Sequence, residues 1–230
     1  MRVIEQRDKA LRLLKGKVDD FALGGGTALS AFYFHHRESY DLDFFTKDFS
    51  EKRIAEVIEA LSEDTGEAIK LKERITAPNQ ARVIRYQVAG GLWVDFIEDV
   101  FREFHIKNAV NGIPVLSKES IYLRKLYAMC GVAGERSDTG RKISVGGRQE
   151  AKDYFDVYIL STAFMPLSKF VENTCDLSEI ERVVIWYRRY DRLNMTNGLL
   201  ELNTSQTPDI KVINRHFDQQ IKKIIDSELG

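Results

Sequence analysis

Two groups of residues in the first fifth of the chain could do chemistry on a phosphate. The first is the run Gly24-Gly25-Gly26-Thr27, and the second is Asp41-Leu42-Asp43. Because side chains alternate between the two faces of a strand, Asp41 and Asp43 would lie on one face with their carboxylates close together. Like charges at that separation repel each other unless a cation lies between them. Hard oxygen ligands of this kind suit Mg²⁺ together with substrate phosphates, with Mn²⁺ as an alternative.

The glycine run could hold the phosphate itself. Gly25 and Gly26 would let a ligand approach the backbone more closely than a side chain permits, and the N-terminus of a following helix attracts an anion. Thr27 could add a hydroxyl donor to the same phosphate, and Arg37 could bind it or form an ion pair. Gly-rich turns and Asp-x-Asp runs are each common for structural reasons, but their combination in this order and spacing favours a nucleotide site.

A short strand, a turn, a helix and a second strand must position these residues. The apolar run 21–23 predicts the first strand, residues 28–34 predict the helix, and the alternation of acidic and apolar residues over 41–45 predicts the second strand. Other periodic segments predict two helices at 3–15 and 50–63, and four strands at 68–75, 81–89, 92–97 and 113–116. Turns at 76–79 and 90–91 would join consecutive strands as hairpins.

The second half of the chain has a different character. Helical spacing recurs in four segments, at 118–130, 149–163, 178–190 and 215–228. Residues 131–148 between two of them are rich in glycine and charge and predict a mobile loop. The chain therefore predicts an α+β fold, in which a mixed α/β domain at 1–116 precedes a helical domain at 117–230.

The two chemical motifs resemble those of a known superfamily. The order Gly-Gly-Thr, short helix, Asp-x-Asp is similar to the signature of polymerase-β-like nucleotidyltransferases. More narrowly, the segment from Leu23 to Phe45 resembles the AbiEii/AbiGii toxin-type nucleotidyltransferases, with its Gly-Gly-Thr-Ala-Leu block followed by His-Arg-x-Ser-x-Asp-Leu-Asp-Phe-Phe. The likeness is close over 21–45 and looser elsewhere. It implies a polymerase-β-like domain and a helical domain that closes the nucleotide cleft.

The resemblance implies a third metal-binding carboxylate on a strand beside Asp-x-Asp, and Asp95 is the best match. Its neighbours Val94 and Phe96 are apolar, so on a strand Asp95 would point away from their face. A two-metal site needs such a carboxylate for the nucleophile's metal. An exposed strand residue without a metal role is the alternative.

A second motif lies in the helical half. The block that begins at Arg148 and includes Asp153 and Asp156 resembles the family's Arg-x-x-Lys-Asp-x-x-Asp block, and Lys125 matches a lysine that holds triphosphate. The resemblance implies that Lys125 neutralises triphosphate charge and that Asp153 orients it or the base. An ion-pair cluster that fastens two packed helices is the structural alternative, and both roles could hold together.

The resemblance implies a Mg²⁺-dependent enzyme that moves a nucleoside monophosphate from a nucleoside triphosphate to an acceptor. RNA, including tRNA ends, is an acceptor type of the family, whose members act as toxins of toxin–antitoxin or phage-exclusion systems, so a cognate antitoxin is an expected partner. A small-molecule or protein nucleotidyltransferase is the first alternative. A catalytically silent nucleotide- or partner-binding module is the second.

Composition excludes several other classes of protein. The 230 residues carry 34 basic and 35 acidic side chains, too balanced for a protein that coats nucleic acid. An excess of basic residues over 101–150 suits a phosphate-bearing ligand, and a solvated charged surface is the alternative. Apolar runs stay shorter than a membrane span, and two cysteines do not make a disulfide framework. We therefore expect a cytoplasmic protein that does not bind membranes.

Overall fold

The structure is a computed structural model in which the chain divides into two compact units, residues 1–121 and 122–230. It describes residues 3–76, 81–88, 91–136, 142–145 and 147–229, with the backbone alone at 108–110, 132–136, 142–145 and 228–229. The helix α4 crosses the division between the units.

The described residues of the first unit form a mixed sheet of seven strands with three helices beside α4. The strands are β1 (Ala22–Leu23), β2 (Leu42–Thr46), β3 (Lys70–Ile75), β4 (Val83–Gln87), β5 (Trp93–Glu98), β6 (Ile106–Val110) and β7 (Ile113–Leu116). The helices are α1 (Val3–Leu14), α2 (Gly25–Ala28), which continues as a π-helical segment (Leu29–Phe34), and α3 (Glu51–Thr65). The strand order is β3-β4-β5-β2-β1-β7-β6, and β2 runs parallel to β5.

Alternation along β2 and β5 separates a wholly apolar face of the sheet from one that carries the acidic side chains beside Phe45, Trp93 and Ile97. Leu42, Phe44, Val94 and Phe96 are fully buried on the apolar face. The Phe44 and Phe96 rings stack with their centroids 5.7 Å apart. Residues 43 and 95 alternate with these side chains and therefore lie on the opposite face. Apolar burial thus determines which way the acidic side chains point.

The described residues of the second unit are mainly helical. Its helices are α4 (Lys118–Cys130), α5 (Ala151–Ala163), α6 (Leu167–Thr174), α7 (Leu177–Arg189), α8 (Arg192–Glu201) and α9 (Ile210–Ile224), the last followed by a π-helical turn (Ile225–Leu229). Asp176 caps α7 by accepting a hydrogen bond from the Glu179 amide at 2.9 Å, and the Glu179 carboxylate accepts one from the Asp176 amide at 2.8 Å. This reciprocal capping box fixes the start of α7.

Aromatic rings form the core of this unit. Tyr122 stacks on Phe170 with centroids 4.1 Å apart, and Tyr154 stacks on Phe217 at 4.3 Å. Beside them the Ser161 hydroxyl lies 2.8 Å from Nε2 of His216. Burial and the nearby Lys223 lower the pKa of His216 below its ordinary value of 6.5.

The prediction of a loop over 131–148 is wrong for its described part. Residues Val132–Arg136 (β8) and Lys142–Val145 (β9) pair as an antiparallel hairpin. Such a short two-stranded ribbon has little local signal in a glycine-rich sequence. Residues 137–141 and 146 of this segment lie outside the described residues.

Other elements also differ from the predictions. The helices α6 and α8 and the strand β6 were not expected, and α9 begins at Ile210 rather than at 215. The predicted turns at 76–79 and 90–91 fall largely outside the described residues. Among the helices that the structure describes, none is long and apolar enough to cross a membrane.

Candidate functional site

The register of β2 and β5 brings two acidic residues side by side on the polar face of the sheet. Asp43 and Asp95 are paired residues of these parallel strands, one strand spacing of about 4.8 Å apart. Asp43 is half-buried, and Asp95 is 6% exposed. Asp41 lies directly before β2 and is exposed. The three predicted carboxylates therefore belong to one region of the first unit.

The glycine run is adjacent to this acidic pair. Gly25 has a φ of +64°, and a Cβ placed on it would collide with Oδ2 of Asp43. A Cβ on Gly26 would collide in the same way with Nη2 of Arg37. A side chain at either position would displace Asp43 or Arg37, and the positive φ of Gly25 independently favours glycine. The run thus holds Asp43 and Arg37 directly against the backbone at the start of α2.

Thr27 has a role that its sequence position did not reveal. Its buried hydroxyl lies 2.5 Å from the carbonyl oxygen of Asp41 and 3.0 Å from the hydroxyl of Ser39. From α1, Arg7 donates a hydrogen bond of 2.8 Å to the carbonyl oxygen of Ser39. These contacts fix the segment that leads into β2, so they determine the position of Asp41.

The Asp95 carboxylate forms a two-pronged ion pair with Arg85 on the neighbouring strand β4. Nε of Arg85 lies 2.9 Å from Oδ1 and 3.1 Å from Oδ2 of Asp95, and its Nη2 lies 2.7 Å from Oδ2. The third nitrogen, Nη1, lies 2.9 Å from the Glu73 carboxylate on β3. Hydrogen bonding to Asp95, together with the nearby charges of Glu73 and Asp43, raises the pKa of Arg85 despite partial burial.

The donor chemistry at the site fits a divalent ion in part. Asp41 and Asp43 offer hard oxygen atoms of the kind that Mg²⁺ prefers. Both oxygens of Asp95 instead contact a guanidinium group. Within the described ranges, no three His, Cys, Asp or Glu side chains are grouped closely enough to hold one metal ion. The fit is therefore direct for Asp41 and Asp43, and the metal role of Asp95 stays a prediction.

The second unit contains a separate buried cluster of charges between α4 and α5. The ammonium group of Lys125 lies 2.6 Å from Oδ1 of Asp153 and 2.7 Å from Oδ2 of Asp156, and both aspartates are fully buried. Nε of Arg148 lies 2.5 Å from the other oxygen of Asp153. The ion-pair cluster expected as the structural alternative is therefore present, and the triphosphate role of Lys125 stays a prediction.

Opposing influences act on the Asp153 carboxyl. Burial alone would raise its pKa, but the positive charges of Lys125 and Arg148 and their hydrogen bonds outweigh burial, so the pKa lies below its ordinary value. Asp153 is therefore ionised at neutral pH in spite of its complete burial. The positive charges of Lys125 and Arg148 compensate the buried carboxylates of Asp153 and Asp156, which lets these carboxylates stay inside the unit.

Two residues of these clusters, Arg148 and Arg85, were not among the site residues predicted from the sequence. Arg148 was visible as the first residue of the block that contains Lys152 and Asp153, but it was not assigned a role. Arg85 could have been found only from the pairing register of β4 and β5, which places it directly opposite Asp95. The polar side chains of Glu73, Arg85, Asp95 and Asp43 thus form a row across four strands.

An Asp-x-Asp motif beside a glycine turn, on a mixed sheet followed by a helical half, defines the class of nucleotidyltransferases. The comparison with known families agrees: the family described as nucleotidyl transferase AbiEii toxin, type IV toxin–antitoxin system, matches residues 11–227. The chain belongs to this family. The predicted family and enzyme class are confirmed, and membership implies a nucleotide substrate and an antitoxin partner.

Solved structures share the fold. JHP933 from Helicobacter pylori is 18% identical with a TM-score of 0.55, and the alignment covers 98% of this chain and 95% of that one. A protein from H. pylori proposed to be a nucleotidyltransferase is 19% identical with a TM-score of 0.54, over 96% of each chain. The predicted α+β fold with a helical C-terminal half is confirmed. No curated protein matches the chain.

Proposed function

We propose that this toxin uses Mg²⁺, or Mn²⁺ in its place, to transfer a nucleoside monophosphate from a nucleoside triphosphate to a hydroxyl group of RNA. One observation carries the proposal. The Asp43 carboxylate lies against Gly25, two residues beyond Asp41, whose carbonyl oxygen accepts the hydrogen bond from Thr27. A pair of hard oxygen ligands beside the start of helix α2 is an arrangement that suits a metal-bound triphosphate.

The chain's own residues would bind and orient the nucleotide. Asp41 and Asp43 would hold the divalent ion, which when bound neutralises phosphate charge and stabilises the leaving pyrophosphate. Arg37 lies beside Gly26, where its guanidinium group would attract a phosphate oxygen. The acceptor oxygen forms a bond to the α-phosphorus while the bond from that phosphorus to the bridging oxygen breaks. Pyrophosphate leaves with the bonding electrons, and the hydroxyl proton passes to solvent.

The RNA acceptor is the part of the proposal that rests on the family resemblance. We assign Thr27 a positioning role, because its hydroxyl is already used inside the protein. Lys125 is assigned to the buried cluster of the second unit, and its contribution to triphosphate binding requires a separate test.

Transfer of a radioactive label tests the proposal. The protein is incubated with Mg²⁺ and each α-³²P-labelled nucleoside triphosphate in turn, with purified RNA, with a mixture of small hydroxylated compounds, or with protein alone. We expect the label in the RNA fraction. The matched control is Asp43→Asn, which keeps the size of the side chain and removes its charge.

The location of the label distinguishes the alternatives. Label on small compounds or on protein would overturn the RNA acceptor and support the corresponding transferase. Equal labelling by the wild type and Asp43→Asn would overturn the assignment of Asp43. The absence of transfer and of triphosphate binding would overturn the proposed reaction.

A further inference from the structure

Three arginines lie close together in the chain where α7 ends and α8 begins. Arg188 and Arg189 belong to the last turn of α7, and Arg192 is the first residue of α8. We call these three residues the arginine corner. All three are exposed, and among the described residues no carboxylate lies within ion-pair distance of their guanidinium groups. The corner therefore carries positive charges that the described part of the chain does not pair.

Exposure alone does not leave an arginine of this chain without an acidic partner. The side chains of Arg82 and Arg148 are 41% and 49% exposed, and each binds a carboxylate, at 2.7 and 2.5 Å. The acidic residue inside the arginine corner is Asp191, whose carboxylate is used elsewhere. It caps α8 by accepting hydrogen bonds from the amides of Leu193 and Asn194, at 3.0 and 2.9 Å. The charges of the corner therefore stay available to a ligand.

The aromatic side chains at the arginine corner support Arg192. Its Cζ lies 5.8 Å from the centre of the Tyr187 ring and 5.6 Å from that of the Tyr190 ring. Both tyrosines are buried, and Tyr190 stacks on Trp186 with ring centroids 5.1 Å apart. A cation held over ring faces is stabilised by their negative charge density. The tyrosine rings are thus already in use, so a ligand at the corner meets guanidinium groups and not these rings.

Contacts with α5 hold the arginine corner in place within the second unit. The amide of Asp191 donates a hydrogen bond of 2.7 Å to the side-chain oxygen of Gln149, just before α5. Gly198 on α8 lies so close to α5 that a Cβ placed on it would be 2.7 Å from the Cβ of Ala151. A surface that is already ordered loses less conformational entropy when a ligand binds. The backbone of the corner is therefore pre-organised for binding.

The dipoles of the two helices account for only part of this arrangement. Positive side chains are favourable in the last turn of a helix, which suits Arg188 and Arg189 at the end of α7. Arg192 begins α8, where the positive end of the helix dipole disfavours a cation. The corner thus concentrates more positive charge than the stability of these helices requires.

Phosphate groups along a nucleic-acid backbone match the charge of this surface. A planar guanidinium group can bind two phosphate oxygens at once, and it keeps its charge at neutral pH. Neighbouring arginines without acidic partners can contact several phosphates, which a nucleic-acid backbone provides. Such contacts hold and orient the polymer without reading its sequence.

We propose that the arginine corner binds backbone phosphates of the RNA acceptor and thereby holds that RNA on the second unit. This inference rests on the proposed function, since that function supplies the RNA. The three arginines act in binding, and the chemical step belongs to the residues of the first unit.

Equilibrium binding of RNA in the absence of nucleotide tests the inference apart from transfer. Bulk tRNA with a fluorescent dye at its 5′ end is titrated with protein at KCl concentrations from about 50 to about 200 mM, and fluorescence anisotropy gives the affinity. The test variant changes Arg188, Arg189 and Arg192 to glutamine. Each lost phosphate contact should lower the slope of log affinity against log salt by about 0.7–0.9, so we expect a fall of about two to three. Affinity at the lowest salt concentration should weaken by more than about tenfold.

Three lysines elsewhere in the second unit provide a matched control. Lys169 on α6 and Lys222 and Lys223 in the last turn of α9 are exposed, so changing all three to glutamine removes the same amount of charge. The tRNA affinity and the salt slope of this control should stay close to those of the wild type. An equal loss in both variants would overturn the inference, because general attraction between charges would then explain the binding.

A single substitution keeps the test decisive if the triple-arginine variant does not fold, which circular dichroism will show. Arg192→Gln alone should lower the salt slope by about 0.7–0.9. In the transfer assay, the KM for RNA should rise in the arginine variants while kcat holds, because the arginines act in binding. A fall in kcat at unchanged KM would overturn the inference.

The remaining outcomes separate this inference from the proposed function. A folded arginine variant with wild-type tRNA affinity and salt slope would overturn the inference and leave the proposed function intact. An equal loss of nucleoside triphosphate affinity would also overturn it, because the phosphates bound would be those of the nucleotide. Competition by poly-L-glutamate as strong as that by tRNA of equal charge would assign the corner to an acidic protein instead. Labelling of small compounds or protein by the wild type, with none in RNA, would overturn the RNA acceptor of the proposed function, and this inference with it.

Discussion

Replacing Lys125 by methionine should destabilise the second unit substantially. Methionine keeps much of the side-chain length but leaves two fully buried carboxylates without the ammonium group that lies 2.6 and 2.7 Å from them. Removing one partner from a buried ion pair costs about 3–5 kcal/mol. Since Arg148 remains bonded to Asp153, we expect the lower end of this range, a loss of about 3 kcal/mol in the free energy of unfolding.

The two tryptophans allow this loss to be measured in one unit alone. Trp93 lies in the first unit and Trp186 in the second, so in a Trp93→Phe background the fluorescence of Trp186 reports the unfolding of the second unit in urea. The control is Lys152→Met on α5, whose ammonium group pairs with Glu150 at 2.9 Å at the surface. Because exposed pairs contribute little, the control should lose less than about 1 kcal/mol.

A rescue variant tests the cause of the loss. Adding Asp156→Asn to Lys125→Met removes one of the two buried negative charges and should restore part of the stability. A loss for Lys125→Met as small as that for Lys152→Met would refute the reasoning. Triphosphate affinity, measured on folded Lys125→Met, is a separate readout: the family resemblance predicts weaker binding, and unchanged affinity would remove Lys125 from the nucleotide site.

Three further predictions concern the metal ligands, the glycine turn and a histidine. Asp41→Asn and Asp43→Asn should each abolish RNA labelling. The urea midpoint should stay the same or rise slightly, because each variant removes one of several neighbouring negative charges from this face of the sheet. A lower midpoint would mean that the charge is needed for folding. Gly25 and Gly66 both have a positive φ, so alanine at either position should cost about 1–2 kcal/mol of backbone strain. At Gly66 the added methyl group meets open space, whereas at Gly25 it meets the Asp43 carboxylate. Gly25→Ala should therefore lower the free energy of unfolding by more than Gly66→Ala. Activity should survive in Gly66→Ala and be lost in Gly25→Ala, and equal behaviour in the two assays would contradict the packing of Asp43 on Gly25. Finally, the pKa of His216 is lowered in the folded state, so below its ordinary value of 6.5 the unfolded chain takes up a proton that the folded chain does not. The urea concentration at the midpoint should therefore decrease as the pH is lowered from about 7.5 to about 5.5. His216→Gln should make this decrease smaller. The same dependence of the midpoint on pH in the variant would show that other groups cause it.

The order of the strands and the helix around the site could be predicted from the sequence, because each of these elements depends mainly on residues that are close together in the chain. The strand at 22–23, the glycine turn, the helix that follows and the strand that contains Asp43 all have short-range signals. The buried faces of β2 and β5 follow from alternation, which correctly directed Asp95 away from Val94 and Phe96.

The partner of Asp95 could not be predicted because it depends on the length of one turn. A two-residue turn at 90–91 would pair Arg85 with Phe96, on the wrong face. In the structure the amide of Val88 donates to the carbonyl of Leu92 at 2.9 Å, so Val88 lies opposite Leu92 and Arg85 lies opposite Asp95. The hydrogen bonds of Thr27 inside the protein could not be predicted either, because the sequence does not show whether a hydroxyl bonds to a ligand or to another part of the chain.

The parallel pairing of β2 with β5 also has a consequence for how the enzyme acquires its activity during folding. The chain between these strands includes α3, β3 and β4, so their contact closes a long loop and forms late relative to the local hairpins. A pairing shifted by one residue would push a carboxylate into the layer of Phe44 and Phe96, which is strongly unfavourable. The aspartates of the site therefore also disfavour misaligned pairing, and a nascent chain should stay inactive at least until β5 has been synthesised.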